Sequence, residues 1–207
     1  MHNFANTTDL LYHARDTVEN AVNSLWRDVN NCLKNKLEPA PFPAILFCFS
    51  TIDLLGALVS GRAHKNAHTT AQSIQYMTCF MDYSTENATI LIDLFRHKLV
   101  HLAQPSPLIR YGLQVITWKH HHQDRRFHLI KTPHEQGSEI GDVPSHWHIQ
   151  VTHEFNISII DFAIDIKNSA MGPNGYFEIL EKSPYLQAKY ELATNQILGE
   201  PTDSVTS

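Results

Sequence analysis

The sequence predicts a mainly α protein, an antiparallel helical bundle with a small antiparallel three-stranded β-meander inserted before C-terminal helices. Three observations carry that expectation. Up to about residue 105, apolar residues recur at helical spacing. From 108 to 153 the pattern shortens to strand-like alternation between turn-rich connections. After 154 the helical period returns. At 207 residues and 43% hydrophobic, the chain can bury one core. The expected organisation is one domain over 1–198, comprising a bundle at 8–105, a meander at 108–153 and helices at 154–198. Residues 199–207, small and polar, are expected to form a loose tail.

The first helix is expected to be capped at Thr8-Asp9 and to bury Leu11, Ala14, Val18, Val22, Leu25, Val29, Cys32 and Leu33. Three prolines between Glu38 and Pro43 end it. A second helix, from about Ala44 to Ser60 with Gly61 as C-cap, is apolar nearly all round and so belongs in the middle of the bundle. Its length and composition mimic a membrane span, but Ser50, Thr51 and Asp53 near its centre favour a core helix. A third helix begins at Thr69 or Thr70 and buries Ile74, Met77, Phe80 and Met81. A fourth runs from Thr85 to about Ala103, where Pro105 and Pro107 stop it.

Three strands follow, at Leu113–Lys119, Arg126–Lys131 and Trp147–His153. The next helical stripe is Phe155, Ile159, Phe162, Ala163 and Ile166, closed by Met171-Gly172-Pro173. Ser183-Pro184 starts the last helix. There is no internal repeat and no glycine-rich phosphate loop. Cys32, Cys48 and Cys79 lack CxxC spacing and are odd in number, which predicts reduced, buried thiols in a cytoplasmic protein. No cationic segment precedes an apolar run at the start, so no secretory leader is expected. In that compartment the sequons at Asn6, Asn87 and Asn156 carry little meaning.

The net charge of −5 hides an asymmetry. Residues 95–135 hold seven Lys/Arg against two acids, whereas residues 136–207 hold three against ten. Ten of the fourteen histidines lie between His97 and His153. A basic middle can meet a polyanion, or it can complement the acidic part within the fold or across a dimer.

The densest chemistry is Arg96-His97-Lys98-Leu99-Val100-His101, which follows the apolar run Ile90 to Phe95. Cations that deep in an apolar helix need a partner, a ligand or a water-filled cleft. Arginine neutralises phosphate oxygens with a planar fork, and histidine moves protons near neutral pH. RNA supplies its own 2′-hydroxyl nucleophile, so no metal or other cofactor is required. Five helical residues separate Arg96 from His101, about 140° of rotation, so a cleft between two protomers would gather the groups better than one protomer.

An arginine, a polar residue, three further residues and a histidine, on an apolar helix of an all-α bundle, resemble the motif of the HEPN superfamily (higher eukaryotes and prokaryotes nucleotide-binding). The resemblance covers roughly residues 8–105. It implies a homodimer with paired motifs at its interface and, in active members, metal-independent RNA cleavage. By the same resemblance His101 is the acid/base, Arg96 the phosphate clamp and His97 an orienting group. Two features depart from the family: the β-segment after the fourth helix, and Ala103 where nucleotide-modified members carry a tyrosine. Many members are non-catalytic scaffolds, so an interaction protein built on the same bundle is the alternative.

Weaker candidates surround this motif. Arg62, Lys65, Lys98, Arg125 and Arg126 are possible RNA contacts, and His120-His121-His122 with Trp118 and Phe127 mixes cations and aromatics as single-strand binders do. An exposed hairpin tip with its aromatics turned inward is the plainer reading. Asp53 must pair with something inside its apolar helix: Arg96, a histidine, or a neighbouring hydroxyl or backbone group, the last being favoured. Asp93 is placed to support His97 at i, i+4. His64/His68, His97/His101, His120/His122 and His146/His148 have zinc-compatible spacing, which makes structural zinc a second alternative, although no cysteine or carboxylate joins them. RNA and a second copy of the chain are the expected partners. Nothing points to DNA or a membrane.

Overall fold

The computed structural model describes residues 4–35, 37–63, 67–102, 104–134 and 149–199, the last three residues of 67–102 in backbone only. Helix α1 spans Thr7–Leu33 and buries the stripe from Leu10 to Leu33. Its cap is Asn6, not Thr8-Asp9: Asn6 is extended, and its side chain accepts the Asp9 N–H at 3.0 Å. The helix therefore begins at Thr7, two residues earlier than a Thr8 cap would place it, with Asp9 in its first turn beside the positive dipole end.

Helix α2, Pro41–Ser60, is long and apolar enough to cross a membrane by length and composition. It lies at the centre of the fold, against α1, α3 (Thr69–Phe80), α6 (Ile159–Met171) and α8 (Pro184–Leu198). Gly61 closes it in the left-handed conformation (φ 70°), as a glycine C-cap should.

Glycine within α2 has a packing reason. A Cβ on Gly56 would stand 2.8 Å from the Gln72 carbonyl oxygen and 2.9 Å from its carbon, both α3 backbone. The close α2–α3 approach depends on that missing methyl group. Gly56→Ala, which would raise the stability of an exposed helix, is expected to lower it here by about 1–3 kcal/mol through overpacking. Urea denaturation checks this; an unchanged or higher midpoint would refute it.

The fourth predicted helix is interrupted. Ser84 caps α4 (Thr85–Leu91), a π-turn occupies Ile92–Arg96, and α5 continues over His97–Leu102. At the end of the π-turn the His97 N–H reaches back to the Ile92 carbonyl, five residues away. The extra residue widens the apolar face, so Ile90, Leu91, Ile92, Leu94 and Phe95 are all buried in near-continuous sequence.

The expected three-stranded antiparallel meander is incorrect. The sheet is four-stranded and mixed, in the order β1-β2-β4-β3, with β1 Ile109–Tyr111, β2 Gln114–His121, β3 Lys131–Pro133 and β4 His153–Ser158. β2 and β4 run parallel in the register Ile116↔His153, Trp118↔Phe155 and His120↔Ile157. β3 pairs antiparallel with the other side of β4.

Burial explains the insertion of β4 into the centre. Phe155, Asn156, Ile157 and Ser158 are all buried, whereas β3 is three residues long and ends in a proline, as suits an edge. Leu113, expected in a strand, is 98% exposed at the tip of the β1–β2 hairpin beside Gly112 (φ 58°). Arg126–Lys131 is not a strand: it begins in a 3₁₀ turn, Arg125–Phe127, turns again at Leu129 (φ 61°), and only its last residue, Lys131, enters β3. Phe155, assigned to a helical stripe, belongs to β4, and α6 starts at Ile159. A further helix, α7 at Tyr176–Lys182, lies between α6 and α8. Trp147 and the proposed tail from residue 200 onward lie outside the described residues.

All three cysteines are free; Cys48 is buried, Cys32 half-buried and Cys79 exposed, so the expectation of buried thiols fails at Cys79. Asn156 is buried and its side chain bonds to His121 and to the Ile130 carbonyl.

Candidate functional site

The π-turn delivers Arg96 to α2. The Arg96 Nε donates to both Asp53 oxygens at 2.9 and 3.0 Å, and Nη2 donates to Oδ2 at 2.8 Å. Such a side-on, charge-assisted pair fixes the plane of the guanidinium. The Arg96 and Asp53 side chains are only 11% and 23% exposed. A third element contributes Ser73, fully buried on α3, whose hydroxyl lies within hydrogen-bond reach of both Asp53 Oδ1 and the Thr69 carbonyl. Asp53 thus bridges α2, α3 and the π-turn. Of the partners open to Asp53, the favoured local bond gives way to the long-range pair with Arg96, which forms alongside a hydroxyl contact from Ser73. Arg96 Nη1 has no hydrogen-bond partner among the described residues.

The rest of the motif follows from the same helix. α5 is α-helical, so the rotation of about 140° between Arg96 and His101 is retained. His97 is half-buried and Lys98 exposed; the His101 side chain lies outside the described residues. Asp93 and His97 form no hydrogen bond or ion pair among the described residues. The residue above Asp93 across a π-turn is the fifth, not the fourth, so the expected i, i+4 support is displaced. Behind Arg96, Phe95 meets Trp118 of β2 edge to face, and the Trp118 indole N–H donates to the Ser106 carbonyl at 2.7 Å. The sheet therefore buttresses the motif helix.

The other basic candidates are elsewhere. Arg62 lies just past the α2 C-cap on a separate cleft; Lys65 and His64 are outside the described residues. Arg125 binds Asp165 at 2.6 Å, and Arg126 binds Asp124 through Nε and Nη2 at 3.0 and 2.8 Å. Neither Arg125 nor Arg126 has a hydrogen bond or ring contact with Asp53, Arg96 or His97 among the described residues. Around the histidine triplet, the aromatics divide. Trp118 turns toward Phe95 and Phe42, whereas Phe127 stays partly exposed and stacks on His121 at 4.9 Å. Among the described residues no group of three or more His, Cys, Asp or Glu converges as a metal site; His146 and His148 are outside them.

A second polar cluster, which no sequence motif marks, joins Tyr83, His128, Asp165 and Arg125. The Tyr83 hydroxyl donates to Asp165 Oδ2 at 2.8 Å and lies 3.0 Å from His128 Nε2. His128 Nδ1 accepts the Ser158 N–H at 3.2 Å, which assigns the imidazole proton to Nε2 and directs it at Tyr83. Arg125 completes the cluster. Burial alone would raise the Asp165 pKa, but bonds from His128, Arg125 and Tyr83 outweigh it and hold the carboxyl below its ordinary value. Burial, then the Asp165 charge, pushes the Tyr83 phenol well above its usual value.

Two of the three non-glycine residues at positive φ among the described residues adjoin this cluster in sequence: Asp82 precedes Tyr83 and Leu129 follows His128. The third, Asn174, lines a cleft of about 220 Å³ with Arg125 and Asp165. The available signal was Asp161 and Asp165 inside the apolar stripe of α6, the same anomaly that singled out Arg96. No family model, curated protein or solved structure matches the chain.

Proposed function

We propose that this protein is a cytoplasmic HEPN-like RNA-directed module, acting as a homodimer, in which Arg96 binds phosphate and His101 transfers protons in metal-independent RNA cleavage. The observation that supports it is the side-on Asp53–Arg96 pair. It consumes the Nε and Nη2 edge and holds the guanidinium rigid, with Nη1 left for a phosphate oxygen. His97 and Lys98 adjoin it on the same helix. Asp53 acts as a positioning residue for Arg96.

A second reading is a non-catalytic interaction protein, favoured by the low exposure of Arg96 and by the joining of three elements through Asp53. Incubation of the purified dimer with labelled RNA in excess chelator separates the two. Cleavage that falls at least about 100-fold in His101→Ala, with the dimer intact, is the expected result. No cleavage of any tested RNA by the wild-type dimer overturns the enzyme reading in favour of the scaffold. Cleavage that disappears on chelation instead overturns the metal-independent mechanism.

A further inference from the structure

α3 and α8 both pack on α2, and an open groove of about 550 Å³ lies between them at the α2 C-terminus. Its α3 wall is unusual. Ala71, Gln75 and Cys79 recur at i, i+4 and i+8, so they form one stripe along the groove, and all three are exposed. α3 carries no Asp, Glu, Lys or Arg in any of its twelve residues. A surface helix ordinarily sets charge opposite its buried face; here the outward stripe is neutral and of small or uncharged side chains. From Ala71 to Cys79 it runs about 12 Å, a little over two helical turns.

The α8 wall is apolar. Leu186 lies buried in the groove lining, and Tyr185 beside it is 68% exposed. Ala188 and Leu192 follow Tyr185 at i+3 and i+7, both exposed, so apolar surface continues along α8 beyond the groove. Two helix walls with an apolar base between them make the shape that receives a third helix.

The charges at the groove have one sign. Arg62, His68 and Lys189 line it, and no acidic residue does. Elsewhere cations are matched: Arg15, Arg125, Arg126, Lys131 and Lys182 each have a carboxylate partner. Neither Arg62 nor Lys189 forms an ion pair among the described residues; the Lys189 ammonium lies 5.4 Å from the centre of the Tyr185 ring. In a protein of net charge −5, two unpaired cations beside a neutral, apolar groove complement an acidic partner.

The groove is also held open in advance. Gln72 donates through Nε2 to the Arg62 carbonyl at 2.8 Å, and the Gln196 amide accepts the Ala63 N–H at 2.7 Å and donates to the Gly61 carbonyl. These bonds fix the Arg62 segment to α3 and α8. Gly61 permits the approach, since a Cβ there would stand 3.2 Å from the Lys189 backbone. A preformed groove spares a partner the cost of ordering it.

We propose that the α3–α8 groove docks an acidic amphipathic helix of a partner protein. Apolar residues of that helix, at i, i+3 or i+4 and i+7, seat between the α3 stripe and Tyr185 and Leu186, and its carboxylates meet Arg62 and Lys189. The chain's own residues 200–207 fit less well, holding Glu200 and Asp203 but only Val205 as a large aliphatic side chain. The surface is separate from Arg96 and stands whether or not RNA is cleaved there.

A display library of random peptides about 16 residues long is selected on the full chain, and the clones are measured by fluorescence anisotropy. Enriched clones are expected to carry apolar residues at helical spacing and a net negative charge, and to protect exposed Cys79, which lines the groove, from alkylation. Their affinity is expected to fall at least tenfold in Arg62→Gln/Lys189→Gln and in Ala71→Asp. The aspartate repels an acidic ligand but suits the first turn of α3, so that variant keeps its fold. Enrichment of no clone, clones without acidic excess, or equal affinity for both variants and wild type overturns the proposal. Binding that appears only after deletion of residues 200–207 assigns the groove to the chain's own end. Cys79 protection that rises with protein concentration alone assigns it to a second copy, and either result likewise overturns the partner helix.

Discussion

Arg96→Ala is expected to destabilise the protein by about 2–3 kcal/mol, and the isosteric double variant Asp53→Leu/Arg96→Met by much less. Removing the guanidinium leaves Asp53 in an apolar helix with only a serine hydroxyl for compensation. An uncompensated buried charge costs more than the pair contributes, so removing both partners is gentler than removing one. The figure sits below that for a fully buried pair because Asp53 retains 23% exposure. For a chain of this size it corresponds to a fall of roughly 4–12 °C in Tm. Thermal denaturation of the two singles and the double closes the cycle. Additive losses would show that the pair does not couple α2 to the π-turn. The result also bears on RNA assays: Arg96→Ala confounds activity with folding, whereas His101→Ala does not remove this pair.

Asp165→Ala is the second large effect, expected at about 2–4 kcal/mol, because it removes the acceptor of the Tyr83 hydroxyl, a polar partner 3.4 Å from His128 Nε2 and the counter-charge of Arg125. Tyr83→Phe removes one bond and is expected to cost about 1 kcal/mol. The cluster also imposes a pH dependence. The folded-state pKa of Asp165 is depressed, so its contribution is complete above the ordinary carboxylate range and is lost as pH falls through the lower folded value. Urea midpoints measured from pH 7 down to about pH 2.5 are expected to fall more steeply in wild type than in Asp165→Asn. Parallel profiles would refute the assignment.

The helices were legible because their signals are local. The α1 stripe, the Gly61 C-cap, the Ser183-Pro184 start and the all-apolar α2 each depend on residues within one or two turns. The π-turn was not legible: Ile90 to Phe95 reads as an ordinary apolar helix, and the inserted residue is tolerated because every side chain it swings inward meets core. Sheet order failed for a related reason. Alternation around Ile149 and Val151 suggested a strand, but β4 lies further on, where Phe155 and Ile157 also fit a helical period. Period-based reading cannot separate a short buried strand from the start of a helix.

The candidate chemistry divides in the same way. Charge within an apolar run is visible in one dimension, and it marked Arg96 and Asp53 individually from residue type and neighbours. Their partnership spans 43 residues, and Tyr83, His128 and Asp165 come from three separate segments. Composition and periodicity are sums over neighbours in the chain, so they determine which segments are helical and which side chains cannot be left bare. Pairing depends on where those segments cross, and that is set by packing of the whole core around α2. The folded structure therefore decided that Arg96 is held by Asp53 while Arg62 lies on a separate cleft.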